Sequence, residues 1–244
     1  MDHGNFSPSD IVDRVEVNCK NGIHHKNTAI SLTLGQSNAA NTVKGRLAVN
    51  PNILNFSLFN GKCYIAQEPL IGPTNYGGNF LTRLASKLVD RGAYQVVILA
   101  PIAVGGTKVQ DWAVGGFLNR RLVVMIKRLH DAGLNPTPIL WHQGEANVED
   151  VPQEYTRYFM SVFSTIRRNG VYAPIYVAEA TVGGGKGYGN LRAVQRGLVD
   201  LAKGILAGPN TDEIGLDKRY DTCHFSDEGA DIHAEMWYKI LELN

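Results

Sequence analysis

The sequence predicts an α/β protein built on a mostly parallel sheet, and three observations carry that expectation. Short segments rich in Val, Ile and Leu alternate with longer segments of helical periodicity, the order expected of strands joined by crossover helices. One short segment, Gln95 to Pro101 (QVVILAP), is nearly continuous in apolar character, as suits a parallel strand buried on both faces. No internal repeat and no splitting linker interrupts the 244 residues, so a single domain is expected over residues 28–244, after a polar segment over residues 1–27.

The elements follow in order. Residues 1–27 are unpatterned and include NCKNGIHHKN, which reads as a leader segment or a turn. Thr28 to Leu34 (TAISLTL) is the first strand; it stops at Gly35 and presents Gln36, Ser37 and Asn38. A strand that ends so abruptly in small polar residues ends in a turn, and turns at strand tips are where chemistry tends to sit. NFLTRLASKLVDRG puts Phe80, Leu81, Leu84, Leu88 and Val89 on one helical face, with Asn79 as N-cap and Gly92 as stop.

The QVVILAP strand comes next, then a helix over FLNRRLVVMIKRLHDAG that ends at Gly133. Thr137 to His142 (TPILWH) reads as a strand. PQEYTRYFMSVFSTIRRNG opens with Pro152 at a first helical position and closes on Asn169-Gly170. Pro174 to Ala180 (PIYVAEA) is the fourth strand. The last helix begins at Ser226 with acids in its first turn, which suits the helix dipole.

Composition narrows the function classes. Hydrophobic residues make up 44% and charged residues 19%, enough for a sizeable core. Lys plus Arg total 24 against 23 Asp plus Glu, so charge gives no reason to expect nucleic acid or an anionic membrane as partner. No apolar run approaches the roughly 20 residues of a membrane-spanning helix. Three cysteines, Cys19, Cys63 and Cys223, are too few for a disulfide framework or a zinc site, and spacing alone leaves a Cys19–Cys63 pair open. The N-terminus shows no signal peptide, so either the protein stays inside the cell or its leader is missing; compartment and oligomeric state stay open.

In such folds the working site lies at the carboxyl ends of the strands. Three segments follow strand ends: GQSN, VGGTKVQDW and QGEAN. A serine hydroxyl needs a base to become a nucleophile. His224 lies in YDTCHFSDEG three residues after Asp221, so carboxylate and imidazole can meet and leave the other ring nitrogen for Ser37. The plainer reading is an Asp capping its own turn beside a surface histidine.

An oxyanion needs donors: the N–H groups of Gly105-Gly106-Thr107, the N–H of Ser37 and the side-chain amide of Gln143 are candidates. A tight turn and a satisfied core amide are the plainer readings of the glycines and of Gln143. There is no G-x-S-x-G, no P-loop, no G-x-G-x-x-G and no H-E-x-x-H, and the adjacent His24-His25 is ill placed to chelate one metal. No metal is implied. The run GGGKGYG at 183–189 reads as a mobile loop at the rim of the site.

LGQSN, VGGTKVQDW, WHQGEAN and DTCHFS together resemble the four blocks of the SGNH (GDSL-like) hydrolases, in the branch of carbohydrate esterase family six and the sialate O-acetylesterase-like domains. EPLIGPTNYGGNFLTRLA and NLRAVQ resemble its connecting segments, so the likeness runs from about Ile30 to the C-terminus. It implies a three-layer α/β/α sandwich with a flavodoxin-like parallel sheet of about five strands, and no cofactor.

Position by position, the resemblance makes Ser37 the nucleophile, His224 the general base and acid, and Asp221 the residue orienting it. Oxyanion donors become the N–H of Ser37, the N–H of Gly106 (with Gly105 the adjacent alternative) and Gln143. Glu145 and Asn147 are expected to hold the loops together, and Arg192 receives no catalytic task. Two departures stand out: AANTVKG after Asn38 lacks the Met and Gly common in the branch, and the first 27 residues have no counterpart.

The expected activity is removal of O-acetyl groups from a carbohydrate, such as an acetylated xylan, through an acyl-enzyme. Trp112 and Tyr188 are the candidates for stacking on a sugar ring. The alternatives are a short-chain esterase or thioesterase on a non-sugar substrate, and a non-catalytic sugar-binding module on the same fold. A glycosidase pairing Glu145 with Asp221 is the least economical reading, since the triad already uses Asp221.

Overall fold

In the computed structural model, residues 11–20 and 27–242 are described. Eight strands among them form one sheet: β1 (Glu16–Val17), β2 (Thr28–Gly35), β3 (Ile53–Phe56), β4 (Cys63–Ile65), β5 (Val96–Pro101), β6 (Ile139–His142), β7 (Ile175–Glu179) and β8 (Ile205–Asn210). Their order across the sheet is β1-β4-β3-β5-β2-β6-β7-β8. The α helices are α1 (Phe80–Asp90), α2 (Val109–Trp112), α3 (Asn119–Asp131), α4 (Pro152–Arg168), α5 (Gly189–Gly197) and α6 (Asp227–Glu242).

The α/β class and the parallel core match the expectation, and the strand count corrects it: the sheet has eight strands, not five. Five of them, β5-β2-β6-β7-β8, are mutually parallel and run in the flavodoxin-like chain order 2-1-3-4-5. β3 adds a sixth parallel strand outside β5, and β4 and β1 extend that edge antiparallel. Strands of two to four residues carry too little periodicity to stand out from surrounding loops, which is why the added edge was not legible.

Helices on both faces bury the sheet. One face carries Leu32, Leu34, Ile98 and Trp141 against apolar residues of α2, α3, α4 and α5; the other carries Val97, Leu99 and Leu140 against α1 and α6. Successive residues of a strand point to opposite faces. The continuous apolar run over β5 is therefore what two covered faces require. The helix signals read from the sequence also appear in place. Asn79 caps α1 by accepting from the N–H of Leu81 at 3.0 Å, and Ser226 Oγ accepts from the N–H of Gly229 at 3.2 Å at the start of α6.

Part of the N-terminal segment joins the sheet edge. Val17 pairs with Cys63 in the β1–β4 ladder, and a disulfide links Cys19 to Cys63 across 44 residues. Chain-entropy arithmetic for a loop of that length gives roughly 4 kcal/mol of stabilisation. The double variant Cys19→Ser/Cys63→Ser is expected to unfold at a clearly lower urea midpoint than the oxidised wild type; equal midpoints would remove the bridge from the stability of the fold. The pair His24-His25 lies outside the described residues.

Candidate active site

The carboxyl ends of β2, β5 and β6 meet at one place, where the connections of the sheet part to either side of β2. β2 stops at Gly35 because no other residue fits. Its φ is +142°, and a Cβ there would lie 1.9 Å from the carbonyl oxygen of His142 on the adjoining strand β6. The chain then turns through a single 3-10 turn, Ser37–Ala39, all three residues being buried. Ser37 itself is 6% exposed, and its Oγ has no hydrogen-bond partner among the described residues.

His224 and Asp221 lie on the loop before α6. His224 Nδ1 is 2.7 Å from Asp221 Oδ2, while Asp221 Oδ1 accepts from the N–H groups of His224 (2.7 Å) and Cys223 (3.2 Å). Burial pushes the Asp221 carboxyl up, but the His224 main-chain and imidazole contacts outweigh it and hold the group below its ordinary range. The Tyr220 ring stacks on the imidazole, with centroids 5.8 Å apart and planes 20° apart. Tyr220 also reaches the serine turn, donating from its hydroxyl to Thr42 O at 3.1 Å.

After β5, Gly105 packs against Ser37: a Cβ on it would lie 3.7 Å from that of Ser37. The two glycines differ in what they offer. Gly105 donates its N–H to Thr74 Oγ1 at 2.8 Å, whereas Gly106, at φ +72°, has no acceptor for its N–H among the described residues.

Gln143, after β6, is fully buried. Its Nε2 faces three acceptors, Asn147 Oδ1 at 2.6 Å, Gln36 Oε1 at 3.1 Å and Thr107 O at 3.1 Å, and its Oε1 has no partner. Asn147 stitches these loops further, accepting from Val109 N at 3.0 Å and donating to Gln110 Oε1 at 2.9 Å and Asp150 Oδ2 at 2.8 Å.

Glu145 is buried beside His142, with Oε1 at 3.2 Å from the ring Nε2 and at 2.8 Å from Asn38 Nδ2. Burial pushes its carboxyl up, and the contacts from His142 and Asn38 more than offset this, so the group sits below its ordinary value. Arg192 pairs with Asp212 at 3.3 Å, away from these groups. The glycine run turns back on itself through Gly183 N to Lys186 O (3.1 Å) and touches the histidine loop through Gly185 N to Thr222 O (3.1 Å).

Trp112 corrects an expectation. It is 0% exposed, packed edge-on against Trp141 at 6.4 Å with its ring N–H on Thr107 Oγ1 at 3.3 Å, so no sugar can stack on it. Tyr188 is half-buried and lines a surface groove with Asp150, Lys186 and Asn190; Lys186 Nζ lies 4.9 Å from its ring centroid. Sequence reasoning missed Gln36, Asn38 and Thr74. Gln36 Oε1 gathers the N–H groups of Gly144 (3.3 Å) and Ala146 (3.0 Å) along with Gln143. The signal for Gln36 and Asn38 was their place on either side of Ser37.

The model of the family described as "Carbohydrate esterase, sialic acid-specific acetylesterase" matches residues 27–239. The chain belongs to that family. A "Probable carbohydrate esterase" of Arabidopsis thaliana is similar to this chain at 26% identity over 161 residues, 65% of this chain. The matched stretch spans 58% of that relative's length. The X-ray structure of the same Arabidopsis protein superposes with a TM-score of 0.72 at 23% identity, covering 89% of this chain and 98% of that one.

A carbohydrate acetylesterase from Xanthomonas citri gives a TM-score of 0.55 at 16% identity, over 86% of this chain and 54% of that one. A family 3 carbohydrate esterase from Clostridium thermocellum gives 0.56 at 13%, over 87% and 94%. At these identities the likeness is one of fold.

Proposed function

We propose that this protein is a serine esterase that removes O-acetyl groups from carbohydrate hydroxyls through an acyl-enzyme. The observation that carries the reading is the Asp221–His224 pair at 2.7 Å, with His224 Nε2 free of protein partners among the described residues, on a loop bonded to the turn of Ser37. Membership of a carbohydrate esterase family supports the substrate class.

In this mechanism Ser37 Oγ attacks the ester carbonyl as its proton passes to His224 Nε2, while Asp221 accepts from Nδ1–H and stabilises the imidazolium. The oxyanion forms against the N–H groups of Ser37 and Gly106. Gln143 is the third donor in this reading; its amide has two hydrogens for three acceptors, so turning one toward an oxyanion releases one of them. His224 then protonates the departing sugar hydroxyl. Water, deprotonated by the same ring, attacks the acetyl-enzyme and releases acetate, and Ser37 recovers its proton. Glu145 and Asn147 hold the loops in register, and Tyr188 is the remaining candidate for contact with a sugar.

Acetate release from acetylated xylan, read beside p-nitrophenyl acetate and p-nitrophenyl butyrate, tests the proposal. The expected result is turnover of xylan and of the acetyl ester, with butyryl slower. Turnover of the small esters without xylan would move the assignment to a short-chain esterase. Binding of acetylated xylan with no turnover of any ester would make the protein a sugar-binding module.

A further inference from the structure

We infer that Asn38 is a positioning residue for His224: its side chain grips the main chain on both sides of the histidine and ties it to the turn that carries Ser37. This rests on the esterase reading above and adds to it one element, beside the Tyr220 contact with Thr42, that sets the distance between nucleophile and base.

The histidine loop needs an external hold. Asp221 and Thr222 are exposed, and Thr222 has a left-handed φ of +65° that a β-branched residue adopts only when its surroundings impose it. The Asp221 carboxylate lies within the loop, so it fixes the tautomer and tilt of the ring without fixing where the loop stands relative to β2. That second task falls to contacts from outside.

Asn38 is 4% exposed, and both hydrogens of its amide and its carbonyl oxygen are engaged. Its Nδ2 donates to Cys223 O at 3.3 Å, and its Oδ1 accepts from Phe225 N at 3.4 Å, the residues immediately before and after His224. The second hydrogen of Nδ2 goes to Glu145 Oε1 at 2.8 Å, which fixes the direction of the amide. Glu145 stands on the β6 loop beside Gln143, so the Asn38 amide joins the serine turn, the histidine loop and the β6 loop at one point. Arg219 also donates to Cys223 O, but its other hydrogen bonds go to Ile214 and Thr211 and none to the serine turn. Because Asn38 follows Ser37 directly, any shift of the nucleophile carries the grip on His224 with it.

Misplacement by about 1 Å at a reacting pair costs up to about a hundredfold in rate. Asn38→Ala is therefore expected to lower kcat on p-nitrophenyl acetate by about tenfold to a hundredfold with KM nearly unchanged. Phosphorylation of Ser37 by diethyl p-nitrophenyl phosphate needs the same base and should slow by a similar factor. A folded Asn38→Ala with wild-type kcat, or one whose kcat falls while the phosphorylation rate does not, overturns the proposal.

Asn38→Asp keeps the acceptor for Phe225 and loses the donors, so it gives a second reading of the same two rates. Should neither variant fold, amide hydrogen exchange at Phe225 in the wild type decides. Slow exchange supports the grip, and exchange as fast as that of exposed loop amides overturns it. Ser37→Ala runs in parallel: if that variant keeps wild-type turnover, the esterase reading itself has failed, whereas loss in Ser37→Ala with none in Asn38→Ala removes only the role of Asn38.

Discussion

Ser37→Ala is expected to lower ester turnover by about ten-thousandfold or more while leaving the fold intact, because in the proposed mechanism the triad acts as a unit and the oxyanion donors alone supply only the residual rate. The substitution is structurally clean. Ser37 is 6% exposed and its Oγ has no partner among the described residues, so alanine leaves no orphaned polar group. The 3-10 turn is held by main-chain bonds, Ala39 N to Gln36 O and Ala40 N to Ser37 O, each at 2.9 Å, which do not involve the hydroxyl. Acetate release and a thermal melt on the same preparation check both halves. Wild-type turnover in the variant would end the serine mechanism, and a collapsed melt would show that the hydroxyl has a structural duty the contacts do not display.

Asp221→Asn is expected to cost a comparable factor, on the order of ten-thousandfold in kcat at neutral pH. The reason is the direction of the hydrogen bond. In the proposed mechanism the carboxylate accepts from His224 Nδ1–H and leaves Nε2 as the base, whereas an amide can present N–H to that nitrogen and favour the opposite tautomer. The 2.7 Å contact makes this preference strong. Raising the pH should restore little, because the defect is one of tautomer and not of charge; full recovery in alkali would overturn the orienting role.

The same carboxyl makes a pH-dependent contribution to stability. Its native pKa lies below the ordinary value, so the contribution is present above that ordinary value and is lost as pH falls through the lowered one. Melts of wild type and Asp221→Asn in a pH series should therefore differ at neutral pH and converge in acid.

Much of the fold was legible because the strands at its centre are long and apolar. The segments read as strands at 28–34, 95–101, 137–142 and 174–180 appear as β2, β5, β6 and β7 within two residues at either end. The strands that went unread are short or carry breakers. β3 has four residues, β4 three and β1 two, and β8 reads ILAGPN, with a Gly-Pro pair that argues for a turn. The helix α5 opens on Gly189, the last residue of the glycine run, which hid its start.

For the candidate site, local chemistry and tertiary placement divide cleanly. The sequence alone shows a serine two residues after a glycine at a strand end and an aspartate three residues before a histidine, since both relations are short-range. That Trp112 is core and not rim depends on which helices pack over it, a long-range outcome that came from the folded structure. That structure alone separated Gly105, whose N–H is taken by Thr74, from Gly106, whose N–H is free among the described residues. It also decided the part played by Asn38, whose side-chain partners lie 107, 185 and 187 residues along the chain. No local pattern encodes contacts at that separation; they exist because the sheet order brings the carboxyl ends of β2 and β6 and the loop before α6 to one place.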